Sequence, residues 1–349
     1  MNFPKVSIVM INYNGLQDTI ECLGSLKKCV YPNFEILLID NGSEESQSKA
    51  IFEFKMEKLR TFISKENLGF AGGNNFVVRY VLKENKSDYI YFLNNDTIVE
   101  PDFLNKAVEA AEKDLKIGVV AGLSLQYANR HLIENAGHDF LNCGDFVPRG
   151  RGFKREELNG RCEILGACGA DSLYRVETLK QCGLFDESFF LNYEDADLSM
   201  RCILYGWKCV YEPKSIIYHK VNASIKKVRN YAYALRSQGN LLKAYFYNTP
   251  ALVLLLNMPF FIFRDISVIL TNLIFLKFEI VRLFLHSRFV FLRNLKAILK
   301  ERRARMKHKH VSSWYILRKQ KFFLKKYFRY FVEIILKGRG SALQGRVKI

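Results

Sequence analysis

The first hundred residues alternate between two rhythms. Short, mainly apolar runs at residues 5–11, 34–39 and 89–93 each break at turn formers: Asn12-Tyr13-Asn14-Gly15, Asp40-Asn41-Gly42-Ser43 and Asn94-Asn95-Asp96. Runs this short, rich in β-branched and aromatic residues, predict strands buried on both faces of a parallel sheet. Between the first two, Leu16, Ile20, Leu23 and Leu26 recur at helical spacing and predict a helix over 16–26. A second helix is expected from Glu44, with Ser43 as its cap and Glu45 in its first turn. Residues 60–63 predict another strand, and Glu100-Pro101-Asp102 places proline at a helix start. Strand, helix, strand, helix predicts a doubly wound α/β sheet. Further along, residues 207–211 and 215–218 read as two short strands, the second ending at His219.

Two strand ends carry carboxylates, Asp40 and Asp96. In open α/β sheets ligands bind at the carboxyl ends of strands, but Asn94-Asn95-Asp96 fits a turn bonded to its own backbone equally well. The glycine-rich residues 66–75 (ENLGFAGGNN) feed a helix running to about residue 81. Such a loop can bring bare amides and a helix N-terminus to a phosphate. It matches neither G-x-x-x-x-G-K-[ST] nor G-x-G-x-x-G, so a tight turn without a ligand stays open. Residues 166–171 (GACGAD) are small and let a backbone lie close to another group. In Glu194-Asp195-Ala196-Asp197 the last acid is spaced for an i,i+4 pair with Arg201, and the first two sit where helix-dipole stabilisation also accounts for them. A lone histidine such as His219 is more often structural than catalytic.

At 349 residues the chain holds a catalytic domain of about 200–250 residues and something smaller. No pair of its eight cysteines has C-x-x-C spacing, which predicts reduced core thiols and a cytoplasmic setting. The apolar run before Asn12 is too short for a signal peptide. Charge divides the chain. From residue 244 onward there are 22 Lys and Arg against 4 acids, the full +18 of the protein, so residues 1–243 are neutral.

The basic part is also apolar. Residues 244–263 are uncharged and about long enough to span a bilayer, but Asn248, Pro250, Asn257 and Pro259 interrupt them. A second run, 266–276, is too short to span alone. Aromatic and aliphatic residues then continue to Phe291 with single cations at Lys277, Arg282 and Arg288, the pattern of helices lying in a membrane interface. A helical cap on the preceding domain and a spanning hairpin are the alternatives. The basic clusters at 300–310 and 321–330 suit anionic lipid or nucleic acid. On the membrane reading, deleting 244–349 is expected to release the protein from membranes.

Seven segments in order, VSIVMINYNG, ILLIDNGS, ENLGFAGGNN, YFLNNDTIVEP, GACGADSLYR, GLFDESFFLNYEDADLSMR and a closing YH, resemble glycosyltransferase family 2. These are inverting enzymes of the GT-A fold, and the resemblance is strongest to the bacterial rhamnosyltransferase-like members that build surface polysaccharide such as O-antigen. It covers roughly residues 6–224 and implies a GT-A domain at 1–225 followed by a helical membrane-associating region at 226–349. By resemblance Asp40 recognises a pyrimidine ring that packs on Ile11 and Tyr13, and Asn74 and Asn95 belong to the nucleotide site. Asp96 ends the DxD-type motif and holds Mg2+ or Mn2+, with His219 completing the metal site. Asn94 and Asn95 stand where many members have acids. Asp195 matches the catalytic base that takes the acceptor hydroxyl's proton.

The implied reaction moves one sugar from dTDP-rhamnose or a UDP-sugar to a polyprenyl-phosphate-linked or other glycan acceptor at the cytoplasmic face of the inner membrane. The protein is expected to be peripheral on an anionic surface and not to bind nucleic acid, and a homo-oligomer stays open. A processive polysaccharide synthase is the alternative enzyme, but its Q-x-x-R-W motif is not matched, since Gln238 precedes Gly-Asn-Leu-Leu. A non-catalytic nucleic-acid-binding protein is the alternative outside enzymes.

Overall fold

A computed structural model of the chain describes residues 3–220, 230–330 and 332. The first half forms β1 (Val6–Asn12), α1 (Leu16–Leu26), β2 (Phe34–Asn41), α2 (Glu45–Glu53), β3 (Leu59–Ser64), α3 (Gly69–Glu84), β4 (Tyr89–Leu93), β5 (Thr97–Val99) and α4 (Phe103–Ala111). There follow β6 (Ile117–Gln126), β7 (Ile133–Asn135), β8 (His138–Phe140), β9 (Phe146–Pro148), β10 (Cys162–Ile164), β11 (Asp171–Arg175), α5 (Val176–Cys182), α6 (Glu194–Leu204) and β12 (Lys208–His219). Helices α7 (Tyr231–Asn248), α8 (Ala251–Ile274), α9 (Phe278–Arg293), α10 (Leu295–Met306), α11 (Ser313–Lys319) and α12 (Phe323–Tyr330) complete it.

The main sheet runs β10-β12-β6-β11-β4-β1-β2-β3, with β5 added to β12 and β7 to β6. β1 pairs in parallel with β2 and β4, β2 with β3, and β6 with β12, whereas β11 runs against both β4 and β6. The expected α/β sheet is therefore mixed. Alternate residues of β1 face opposite cores: Val9 packs with Leu37, Phe92 and Val78 of α3, while Ile8 and Met10 pack with Leu23 of α1 and Phe103 of α4. Burial on both faces is why these strands read as mainly apolar runs rather than alternating ones. Register aligns Asn12 with Asp40, Leu93 with Asp171, and Gln126 with His219. The strand ends carrying candidate chemistry thus meet along one edge of the sheet.

Local expectations change at four places. Residues 208–219 form one strand rather than two, with a register slip between Tyr211 and Ile216 where Pro213 removes a ladder donor. The short β5 between Asp96 and the Pro101 turn has no periodicity of its own and exists because it pairs with β12. Ser43 does not cap α2; its hydroxyl turns back to Asp40. The glycine-rich stretch is a helix start rather than a phosphate loop. Phe190 O accepts from Phe70 N (2.7 Å) and Ala71 N (3.3 Å), so the protein itself caps the first amides of α3. Gly69 has φ +72° and a Cβ there would lie 2.5 Å from Phe190, so only glycine permits this contact.

The C-terminal helices pack on the sheet domain, as in the cap alternative. The run at 266–276 is not a separate element but largely the second half of α8. α7 packs against α6, and α9 and α10 pack against α7. Asn240 of α7 donates to the carbonyls of Phe189 (2.7 Å), Leu191 (3.1 Å) and Asn192 (3.1 Å), holding the turn before α6. Arg264 of α8, 5% exposed, pairs with Asp145 at 2.8 Å. Among the described residues α8 is the one helix long and apolar enough to cross a membrane, with a mean hydropathy of 1.9. The expected boundary at 225/226 lies outside the described residues.

Candidate active site

Asp96 is presented by the turn that follows β4. Asn94 N donates to Ala170 O (3.2 Å) and Thr97 Oγ1 to Asn94 O (2.6 Å), fixing that turn. Because β5 pairs Thr97 with His219, the two side chains meet across 123 residues, with His219 Nε2 and Asp96 Oδ1 3.1 Å apart. Burial works against both charges. It is outweighed by their mutual attraction, which holds Asp96 below the usual carboxylate range and His219 above the usual imidazole range. Lys220 N donates to Asp96 O (2.9 Å), and its ammonium is held by Asp18 at 2.7 Å and by Glu21.

Asn95 and Asp40 belong to one polar network. Asn95 Nδ2 donates to Thr19 Oγ1 (2.9 Å) and lies 3.4 Å from Asn12 Oδ1, and Asn12 Nδ2 donates to Asp40 Oδ1 (2.7 Å). Asp40 is fully buried, and the hydroxyls of Ser43 and Ser48 donate to its two oxygens. Ile11 is half-buried and Tyr13 is 36% exposed at this end of β1. Asn74 lies inside α3, buried, with its amide donating to Phe70 O at 3.0 Å. Neighbouring Gly73 lets α3 approach Ile11 and Asn41, where a Cβ would sit 3.0 and 3.2 Å away.

Asp195 occupies the first turn of α6. The preceding chain takes left-handed backbone at Asn192 (φ 74°) and Tyr193 (φ 68°), a conformation that Asn240 holds by its three bonds. Asp195 Oδ2 accepts from Gly169 N (2.9 Å) and Oδ1 from Ala196 N (2.7 Å). The small residues of 166–171 permit this approach, since a Cβ at Gly169 would meet the Phe70 ring at 3.0 Å. Glu194 beside it is buried, and burial together with the Asp195 charge pushes its carboxyl well above the usual range. Asp197, fully buried, forms the expected pair with Arg201 (2.8 Å) and also receives Arg305 of α10 and Asn248 Nδ2 (2.7 Å).

Four residues around this edge were not legible beforehand. His138 Nε2 lies 3.8 Å from Asp195 Oδ2, and its Nδ1 is buried without a partner. Glu134 on β7 pairs with Arg151 at 2.6 Å, and both bear electrostatically on His219. Asp171 is wedged against Gly122, where a Cβ would lie 2.4 Å from Oδ1; burial raises its carboxyl to about 6 against hydrogen bonds from Tyr91 and Ser124. Strands of three residues, such as those carrying Glu134 and His138, are too short to show a period.

The chain thus sets an acid–imidazole pair and a second carboxylate, anchored by backbone amides, at the carboxyl edge of a mixed α/β sheet. Residues 7–183 match the family model described as Glycosyl transferase family 2, and the chain belongs to that family. It is 25% identical over 228 residues to poly-beta-1,6-N-acetyl-D-glucosamine synthase of Staphylococcus epidermidis, covering 63% of this chain and 51% of that protein. It is 25% identical over 238 residues to N-acetylglucosaminyl-diphospho-decaprenol L-rhamnosyltransferase of Mycobacterium tuberculosis, covering 62% of this chain and 76% of that protein. The chain spans about half the length of the first relative. Among solved structures, mannosyltransferase PcManGT from Pyrobaculum calidifontis in complex with GDP-Man and Mn2+ matches with a TM-score of 0.53 and 14% identity, over 88% of this chain and 84% of that one.

Proposed function

We propose that this chain is an inverting, metal-dependent transferase that moves one sugar from a nucleotide donor to a lipid-linked or growing surface glycan. The observation that carries the reading is the placement of Asp96, His219 and Asp195 on one sheet edge, with Asp195 Oδ2 using one lone pair for Gly169 N and keeping the other. That lone pair takes the proton of the acceptor hydroxyl as it attacks the anomeric carbon. Asp96 and His219 fit a divalent ion. Their ligand atoms are 3.1 Å apart, about the spacing of adjacent ligands on one cation, and they offer a hard oxygen and an imidazole nitrogen. Bound there, Mg2+ or Mn2+ offsets the charge on the leaving diphosphate.

Ile11 and Tyr13 wall the base, and Asn95 serves the ribose side. Asp40 reads a pyrimidine imide once the Ser48 hydroxyl turns away from it. Asn74, inside α3, contributes by holding the helix that packs on Ile11. The name of the rhamnosyltransferase relative supports rhamnose as the sugar and a polyprenyl-diphosphate-linked acceptor, and dTDP-rhamnose and UDP-sugars share the pyrimidine chemistry that Asp40 would read. In calorimetric titrations of nucleoside diphosphate, Asp96→Asn is expected to weaken binding and make it insensitive to added Mn2+ or Mg2+. Unchanged metal-dependent binding by this variant would remove Asp96 from the role. A panel of nucleotide sugars screened for hydrolysis identifies the donor.

The proposed acceptor class supports a position on the cytoplasmic face of the inner membrane, and α8 supports peripheral attachment there. Leu255, Phe263, Leu270 and Ile274 are 53–77% exposed along it. A spanning α8 would put Arg264, its fourteenth residue of 24, at mid-bilayer and strip it from Asp145. A helix lying in the interface keeps both. The full chain is expected to float with vesicles containing anionic lipid, and Leu255→Glu/Phe263→Glu/Leu270→Glu to remain unbound while folded. Salt-resistant RNA binding without flotation would reverse the choice of surface.

A further inference from the structure

We propose that His138, Cys168 and Asp195 form a second metal site, selective for a soft or borderline cation such as Zn2+, whose occupation switches transfer off. One ligand atom from each of the three lies within 4.8 Å of the others. His138 Nε2 and Asp195 Oδ2 are 3.8 Å apart, close to the roughly 3.5 Å that separates two ligands of a tetrahedral zinc ion. The Cys168 sulfur lies within 4.8 Å of a ligand atom of each. The imidazole is available, because its other nitrogen, Nδ1, is buried with no partner and Nε2 makes only the long contact to Asp195.

Donor type separates this site from the Asp96–His219 pair. A thiolate, an imidazole and a carboxylate suit Zn2+, whereas Mg2+ and Mn2+ favour oxygen-rich surroundings. Coordination takes the Cys168 sulfur as thiolate, so binding releases its proton to solvent. Asp195 Oδ2 already accepts from Gly169 N. A cation therefore takes the one lone pair that the acceptor hydroxyl needs, and the two compete. This consequence rests on Asp195 as the base; the site itself does not.

The experiment uses Co2+ as a spectroscopic stand-in for Zn2+ on the full chain, in an Asp96→Asn background that removes the carboxylate of the Asp96–His219 pair. A thiolate-to-cobalt charge-transfer band is expected, displaced by Zn2+ and lost in Cys168→Ala. In the otherwise native chain assayed with Mn2+, Zn2+ is expected to inhibit transfer, and Cys168→Ala to raise the inhibiting concentration at least about 10-fold, as loss of a ligand should cost no less than loss of an outer partner. Cys168→Ser and His138→Gln repeat the spectroscopic test should alanine impair folding. No band, or a band that survives removal of the Cys168 sulfur, overturns the site. A band without inhibition retains the site and removes Asp195 from the base role.

Discussion

Asp195→Asn is expected to lower transfer by about 10²–10⁴, the usual worth of a positioned general base, while donor and metal still bind. Asparagine has nearly the size of aspartate but only one accepting oxygen. Each Asp195 oxygen accepts one amide, from Gly169 or Ala196, so the variant keeps one of these bonds, and its uncharged amide oxygen is far too weak a base to take a proton. The Asp96–His219 pair belongs to a different turn and does not share those bonds. Glu194→Gln is the matched control. Burial and the Asp195 charge already favour the protonated form of Glu194, and glutamine mimics that form, so transfer is retained. Steady-state rates beside calorimetric binding of nucleoside diphosphate check both; loss of metal-dependent binding in Asp195→Asn, with Asp96→Asn intact, would reverse the two roles.

What the sequence makes legible follows from how each element is stabilised. β1, β2 and β4 are buried on both faces, and a run of apolar residues reports that directly. α3 is misread at its start because Gly69, Gly72 and Gly73 look like a loop, although Gly69 and Gly73 are there to admit Phe190, Ile11 and Asn41. β5 depends wholly on β12, more than a hundred residues away, and no local pattern can announce it. The same holds for the site. Asp96, His219 and Asp195 are assigned by resemblance to a family, since composition and spacing leave each open to a bland account. His138 and Arg151 come from a region with no period, where only the sheet register shows what they face. The basic run at 300–310 reads as a stretch suited to anionic lipid or nucleic acid, but Arg305 within it is buried against Asp197 and Asp186.

That burial changes what the C-terminal region does. Asp197 lies two residues beyond Asp195 on α6, and its charge is balanced by Arg201 of its own helix and Arg305 of α10, with Asn248 of α7 completing the cluster. Burial alone would raise the Asp197 carboxyl; the two guanidinium groups pull it below its usual value. Removing one partner of a buried pair costs about 3–5 kcal/mol, because the remaining charge is left uncompensated. Arg305→Met is therefore expected to lower the melting temperature by at least about 6 °C, at roughly 2 °C per kcal/mol for a domain of this size. Arg303→Met, an equal loss of charge on the exposed face of the same helix, should leave it nearly unchanged. A carboxylate with a depressed folded pKa stabilises above its unfolded pKa and loses that contribution as pH falls. The gap between wild type and Arg305→Met should accordingly close in acid. Deletion of 244–349 removes both Asn248 and Arg305, so the truncated domain is expected to unfold rather than simply to leave the membrane. Thermal melts of the two arginine variants at neutral and acid pH decide the matter, and equal melting temperatures for both would reduce α10 to a charged surface.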